Sequence, residues 1–271
     1  MTRLSDVGEL GLLAELERRG LIVGTEHDAA QVEGLVVTQD ALVEGVHFLL
    51  DRLTWRDLGF RAAAVNISDL AASGAEPKAL IVSLGLPPET ELHHVLELYA
   101  GLNERGVPVR GGDTTRADRI LLSVTALGRS ERVPGRAGAR PGDAVVLTGP
   151  LGAAGVAFRK GSLPPVPDRV EQGKRLARVA TAMLDVSDGL ARDAGHIAER
   201  SGVRLAIGLE HVPLAGGAEL DDVGFGEDYE LLASTPDPLD FPVIGRVEEG
   251  EGVELTLDGE PYSLAGWENF R

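Results

Sequence analysis

Apolar positions along the chain alternate between short continuous runs and stripes spaced three or four residues apart, the two signatures of strands and amphipathic helices. Val7, Leu10, Leu13 and Leu16 recur among acidic residues, which predicts a helix over 5–19 that stops at Gly20. Leu21 to Val23 reads as a short strand, and Leu35-Val36-Val37 as a second one ending in Thr38-Gln39-Asp40. Asp28 and Asp40 are thereby placed in a loop or at a strand end. Leu42 to Phe48 is apolar at alternate positions around Glu44 and His47, the pattern of a strand edge. Thr54 with Asp57 forms a capping signature before an alanine-rich helix that runs to Ser73 and ends at Gly74. Asn66 and Asp69 share one face of that helix, which looks either to solvent or into a polar site. Ala79 to Leu86 is a predicted strand, and Leu92, Val95, Leu96, Tyr99 and Leu102 mark a helix stopped by Gly106. Val107 to Arg110 rises into Gly111-Gly112-Asp113-Thr114-Thr115, and Ile120 to Leu127 is another strand.

The stretch from Gly128 to Gly142 is rich in Arg, Gly and Pro and poor in apolar side chains, so a boundary is expected there, dividing the chain into residues 1–133 and 134–271. The second half restarts with a strand at Ala144 to Leu147 and a glycine-rich turn from Gly149 to Gly155. That turn misses the dinucleotide-binding spacing and reads better as a tight strand-to-helix connection than as a phosphate cradle. A helix over 168–179, an apolar run at Ala182 to Leu184, a helix over 190–200 and a strand over 203–209 follow. Gly224 to Tyr229 leads into the apolar Leu231-Leu232, strands are expected near 243–247 and 253–257, and the tail carries Trp267 and Phe270. Strands and helices alternate in both halves, giving an α+β chain of two α/β-type domains, each a mixed sheet flanked by helices.

A chain of 271 residues, 43% of them hydrophobic, is long enough for one large core or two modest ones. A net charge of −17 leaves no cationic surplus to neutralise a nucleic-acid backbone, so that partner is excluded. The absence of cysteine removes disulfides, thiolate metal sites and a cysteine nucleophile. Acids scattered through residues 1–24 do not fit a secretory signal, and no run is long enough to span a membrane, which makes a cytoplasmic protein the expectation.

Chemistry concentrates at Asp185-Val186-Ser187-Asp188-Gly189. Strand alternation points Asp185 and Ser187 to one face, and a turn at Asp188-Gly189 brings the second carboxylate back beside the first. By itself this segment reads more readily as a helix cap than as a metal site. The balance shifts because Asp28, Asp40, Asp69 and Asp113 also lie at element ends or on a helix between apolar runs. Clustered carboxylates raise one another's pKa unless a hard cation neutralises them, so an all-aspartate site is a Mg²⁺ site, and Mg²⁺ recruits phosphates.

The ordered segments "DAA" (28–30), "TQDALVEGVHF" (38–48), "AVNISDLAASGAEP" (64–77), "GGDTT" (111–115), "RAGARPGD" (136–143), "LTGPLG" (147–152), "DVSDGLARDAGH" (185–196), "GEDYELL" (226–232) and "GWENF" (266–270) resemble the thiamine-monophosphate kinase family over nearly the whole chain. The resemblance implies the aminoimidazole ribonucleotide synthetase-like fold, ATP as co-substrate, several Mg²⁺ ions, thiamine monophosphate as acceptor and a homodimer. It implies magnesium ligands at Asp28, Thr38, Gln39, Asp40, Asp69, Asp113, Asp185 and Asp188, some through main-chain oxygen. It further implies ATP contacts at Tyr99, Gly112, Arg136 and Ser187, and substrate contacts at His47, Glu227, Trp267 and Phe270. No side chain is expected to act as a general base. The chain departs from the family pattern at His27, where Asp is usual, at Gln39 in place of Thr, and at Phe225, which interrupts a Gly-Gly pair. The alternatives are another ATP-using enzyme of the same fold, an aminoimidazole ribonucleotide or selenophosphate synthetase, and a non-catalytic magnesium-nucleotide binder.

Overall fold

A computed structural model describes residues 3–23, 27–164, 166–264 and 266 of the chain. After helix α1 (Leu4–Arg18), the first half holds β1 (Ala30–Val32), β2 (Leu35–Val43), α2 (Trp55–Ala72), β3 (Glu76–Leu86), α3 (Leu92–Leu102), β4 (Val109–Arg116) and β5 (Leu121–Arg129). Its five strands form one sheet in the order β1-β2-β5-β3-β4, antiparallel except where β4 runs parallel to β3. Val36 and Thr38 of β2, Leu80, Val82 and Leu84 of β3, and Leu122, Val124 and Ala126 of β5 are buried on one face, the period-two pattern of a half-covered sheet. Gln39, Ala41, Ile81, Ser83 and Leu121 lie exposed on the other face.

Helix α2 covers the buried face. Its start is fixed by Thr54, whose side chain accepts the Asp57 amide while the Asp57 carboxylate takes the Thr54 amide. Packing then encloses it on several sides. At the crossing with α3 the two backbones touch through Gly59 and Gly101: a Cβ on Gly59 would lie 1.9 Å from the Leu98 carbonyl oxygen, and one on Gly101 would lie 1.9 Å from that of Arg56. Fully buried Leu58 and Leu70 each contribute roughly 1.5–3 kcal/mol by leaving water.

The second half holds β6 (Ala144–Leu147), α4 (Ala153–Arg159), α5 (Val170–Leu176), β7 (Ala182–Asp185), α6 (Leu190–Ser201), β8 (Arg204–Gly208), β9 (Leu231–Thr235), β10 (Val243–Glu248), β11 (Gly252–Leu257) and β12 (Glu260–Pro261). Its sheet runs β12-β11-β8-β10-β6-β9-β7, with β8 and β11 as its parallel pair. Leu190, Ala194, Ile197 and Ala198 give α6 one apolar stripe, buried against Val145, Leu147, Leu205 and Leu232. Toward the first half, Met183, Leu231 and Ala233 pack with Leu176 of α5 against Ala71 and Ala72 of α2. The edge strand β7 is thereby brought beside α2.

Several local expectations change. Residues 21–23 form no strand, because no neighbour pairs with them; the Leu21 amide instead closes the end of α1 on the Leu16 carbonyl. Strand β2 stops at Val43, and residues 44–48 fold into a turn closed by Gly45 on Phe48 and His47 on Val43. Asp40 is not at a strand end: β5 pairs with β2 from Val36 to Val43, and Asp40 sits in the middle opposite Val124. The Gly-Gly-Asp-Thr-Thr segment is likewise inside β4, whose polar composition suits an edge strand with an open face. Helix α5 is shorter than the expected span over 168–179.

Candidate functional site

Aspartates from three elements and the loop before β1 converge where α2, β2 and β7 meet. On α2, Asp69 accepts a hydrogen bond from Thr38 Oγ1 of β2 at 2.5 Å, and that hydroxyl also lies 3.4 Å from the Asp28 carbonyl. One turn earlier, Asn66 accepts the Asp40 amide at 3.0 Å and donates to the Ala62 carbonyl at 2.9 Å. The polar face of α2 therefore looks into a site, not into solvent. Ser68 Oγ donates at 2.5 Å to Asp185, the last residue of β7, which is buried. Asp28, with a side chain only 4% exposed, takes the Arg136 guanidinium through Nε at 2.7 Å and Nη2 at 2.6 Å.

These carboxyls disturb one another. Burial pushes Asp69 well above the usual carboxylate range, and the charges of Asp40, Asp185 and Asp28 push it further. Burial and then Asp28 raise Asp40 to about 6; burial and then Asp28 raise Asp185 to about 7. Asp28 is raised by burial although Arg136 opposes the shift. Like charges in a poorly solvated pocket demand either protons or a cation. Among the described residues, no three of these four aspartates bring their oxygens within 4.8 Å of one another.

The turn after β7 supplies the rest. Gly189, at φ 104, begins α6 with no side-chain cap, so neither Asp185 nor Ser187 serves as the cap that the sequence alone favours. The Asp188 amide is instead held by Asp193 Oδ2 at 3.0 Å, and its carboxylate lies 3.2 Å from Arg192 Nε. Ser187 gives its carbonyl to the Glu227 amide at 2.8 Å, which lays the loop 224–229 across this turn. The glycine-rich 149–155 segment is a tight connection, since Asp228 takes the Gly152 and Ala154 amides at 2.7 and 3.1 Å and so fills the N-terminus of α4.

Asp28, Thr38, Asp40, Asp69, Arg136 and Asp185 are thus gathered, with Ser187 and Asp188 in the adjoining turn. Other residues singled out from the sequence are not. Gln39 points to the opposite face of the sheet, where it donates to Ser123 Oγ at 2.8 Å, so it reaches the site only through its backbone. Asp113 and Gly112 lie exposed on edge strand β4, with Asp113 in register with Ser83 of the open face. Tyr99 is half-buried in the core of the first half. His47 closes the turn after β2 by accepting the Val43 amide at 3.0 Å. Trp267 and Phe270 lie outside the described residues. Sequence reasoning passed over Ser68, Asp193 and Arg61, which orient Asp185, Asp188 and Glu227; for Ser68 the one available signal was its place beside Asp69 on α2.

The segment 26–130 matches the family model described as AIR synthase related protein, N-terminal domain. The thiamine-monophosphate kinase of Aquifex aeolicus is 36% identical over 99% of this chain and 100% of that protein. That of Mycobacterium tuberculosis strain H37Rv is 34% identical over 98% and 93%. The solved structure of AaThiL complexed with AMPPCP and TMP superposes with a TM-score of 0.88, at 35% identity over 99% of both chains. With this likeness in sequence and fold across its full length, the chain belongs to the thiamine-monophosphate kinase family.

Proposed function

We propose that this protein transfers the γ-phosphoryl group of ATP to the phosphate of thiamine monophosphate, forming thiamine diphosphate and ADP. Four aspartates gathered where α2, β2 and β7 meet, all raised by loss of water and three of them also by their neighbours' negative charge, carry the reading, since they suit a reaction that joins two polyanions. The all-oxygen donor set and the raised carboxyls fit Mg²⁺, which Asp28, Asp40, Asp69, Asp185 and Asp188 would hold, with Thr38 and the Gln39 main chain beside them. Bound there, Mg²⁺ supplies charge screening between donor and acceptor phosphates.

The acceptor oxygen of a phosphate monoester is anionic near neutral pH, so no residue has to remove a proton. What the chain contributes is placement. Thr38, Asn66 and Ser68 fix three of the carboxylate-bearing segments, and Arg136 stands ready to meet ATP phosphates from its place on Asp28. In this reading Ser187 adds an ATP contact from the same chain, Tyr99 and Gly112 add theirs only where a second copy of the chain brings them to the site, and His47, Glu227, Trp267 and Phe270 receive the thiamine moiety. We read residues 1–133 and 134–271 as two domains. The uncovered face of the first sheet, carrying Ile81, Leu121 and Asp113, is the surface a homodimer would bury. Among the described residues no helix is long and apolar enough to cross a membrane, and we place the enzyme in the cytoplasm.

The decisive measurement is ADP release with ATP, Mg²⁺ and thiamine monophosphate, with thiamine as the control acceptor. Thiamine diphosphate should form from the monophosphate alone. ADP released equally without acceptor, or with thiamine, would refute the assignment.

A further inference from the structure

Arg61 is a buried cation that the phosphoryl-transfer reading leaves without a task. It lies on α2 seven residues before Ser68, hence on the same stripe of the helix as the hydroxyl that holds Asp185. Its side chain is 9% exposed, and its three partners all belong to the second half of the chain. Nη2 lies 2.8 Å from Glu227 Oε1, the guanidinium carbon stands 5.8 Å from the centre of the Tyr229 ring, and Nη1 donates to the Pro164 carbonyl at 3.3 Å.

The loop so engaged has an unusual backbone. Gly226, Glu227 and Tyr229 have φ values of 84, 58 and 54, a region that side chains other than glycine seldom occupy. Backbone bonds from Glu227 to Ser187 at 2.8 Å and from Tyr229 to Val186 at 2.9 Å fasten it to the turn after β7. Asp228, between them, is spent on the start of α4. Glu227 and Tyr229 therefore face Arg61 while Asp228 faces away. Burial pushes the Tyr229 phenol well above its usual value, and the charges of Arg61, Glu227, Asp40 and Asp185 all reach it.

The Arg61–Glu227 contact is incomplete. Although the two charges are within ion-pair distance, Nη2 makes no hydrogen bond, and the Glu227 side chain keeps 44% of its surface exposed. The attraction is Coulombic and off the N–H axis, which leaves carboxylate lone pairs open to a second partner. A cation on the acceptor is such a partner.

We propose that Arg61 is a positioning residue for the acceptor: it holds Glu227 and Tyr229 in the left-handed arrangement that presents the Glu227 carboxylate to the cationic ring of the substrate, without consuming that carboxylate. The proposal rests on the reading that Glu227 meets thiamine monophosphate. Lysine is a poor substitute, because only a planar guanidinium reaches a carboxylate and a carbonyl while lying near an aromatic face.

The test is steady-state kinetics of Arg61→Met, Arg61→Lys, Glu227→Gln and the Arg61→Met/Glu227→Gln pair, varying each substrate in turn. Arg61→Met should raise KM for thiamine monophosphate about tenfold while KM for ATP and kcat stay within about twofold. Arg61→Lys, which keeps the charge and disturbs packing least, should fall between at about threefold. In the Glu227→Gln background the Met substitution should add less than about twofold, since both act on one contact. Equal rises in both KM values, a fall in kcat alone, or fully independent effects in the double variant would overturn the proposal. A wild-type protein that forms no thiamine diphosphate sinks the kinase reading instead, a result the same plate reports separately.

Discussion

The two halves of the molecule deliver the same residue type to one site by different means. In the first half two of the carboxylates sit inside regular elements: Asp40 in mid-β2 with its amide on Asn66, and Asp69 in the last turn of α2 with its carboxylate on Thr38. In the second half Asp185 ends β7 and Asp188 rides a turn held by Asp193, its side chain 33% exposed. A carboxylate on a rigid, enclosed element has no way to relax from its neighbours' charge; one in a solvated turn does. Function and stability should therefore be opposed at Asp69 and nearly independent at Asp188.

Asparagine at each position breaks or upholds that contrast, with the largest effects expected here. Asp69→Asn and Asp188→Asn should each lower kcat on the order of a thousandfold, because both remove charge where ions and phosphates meet. Their metal-free melting temperatures should separate. Asp69→Asn relieves repulsion from Asp40, Asp185 and Asp28 and keeps an acceptor for Thr38, so it should melt higher than the parent at pH 8. Asp188→Asn, in a part-exposed turn and still offering an oxygen to Arg192, should melt within about 2 °C of the parent. Equal shifts in both, measured by calorimetry without divalent ions, would erase the distinction between rigid and solvated carriers.

A smaller but wider effect concerns pH and metal. Burial and the neighbouring Asp28 charge hold Asp40 up at about 6 and Asp185 at about 7 when folded, above the ordinary carboxylate value of 3.8 that the unfolded chain keeps. The native state then binds more protons than the unfolded state between those limits, so stability is full below pH 4 for this contribution and declines as pH rises through 7. Other groups will add their own slopes, so the diagnostic is a difference. Millimolar Mg²⁺ should raise the melting temperature at pH 8 by about 5 °C and at pH 5 by much less, since a ligand bound only to the native state stabilises it by mass action. A Mg²⁺ shift independent of pH would mean that the aspartate cluster is not where the ion binds.

The contrast also explains what could be read before the fold was known. Helix α2 was legible to within a residue or two, because its capping pair, alanine content and terminal glycine agree. The role of its polar face was not, since only the enclosure of α2 by the sheet, α3 and α5 excludes solvent as the alternative. Asp40 was misplaced at a strand end for a related reason. Where a sheet faces a polar site, Thr38 and Asp40 take positions that apolar residues would fill elsewhere, and the alternation that reveals strands disappears. Ser68 meets Asp185 across 117 residues, and Arg61 meets Glu227 across a comparable stretch, so local patterns held no trace of either pairing. The second-half motif from Asp185 to Asp188 was recognisable because turn chemistry is local, even though its simplest reading, a helix cap, is not what the turn does.

The gentlest test compares neighbours on β2. Thr38 and Gln39 are adjacent, yet strand alternation sends them to opposite faces: Thr38 is buried and donates to Asp69, whereas Gln39 donates to Ser123 and accepts from Thr125 at 3.3 Å on the open face. If the cleft is confined to the α2 side, the Gln39 side chain is dispensable for turnover, and only its main chain matters. Gln39→Ala should leave kcat within about twofold and cost at most about 1 kcal/mol, the worth of an exposed hydrogen bond. Thr38→Val, which keeps the shape and deletes the hydroxyl, should lower kcat about tenfold or more by freeing Asp69 to rotate. The reverse ranking would place part of the working site on the open face of β2, where the Gln39 side chain lies.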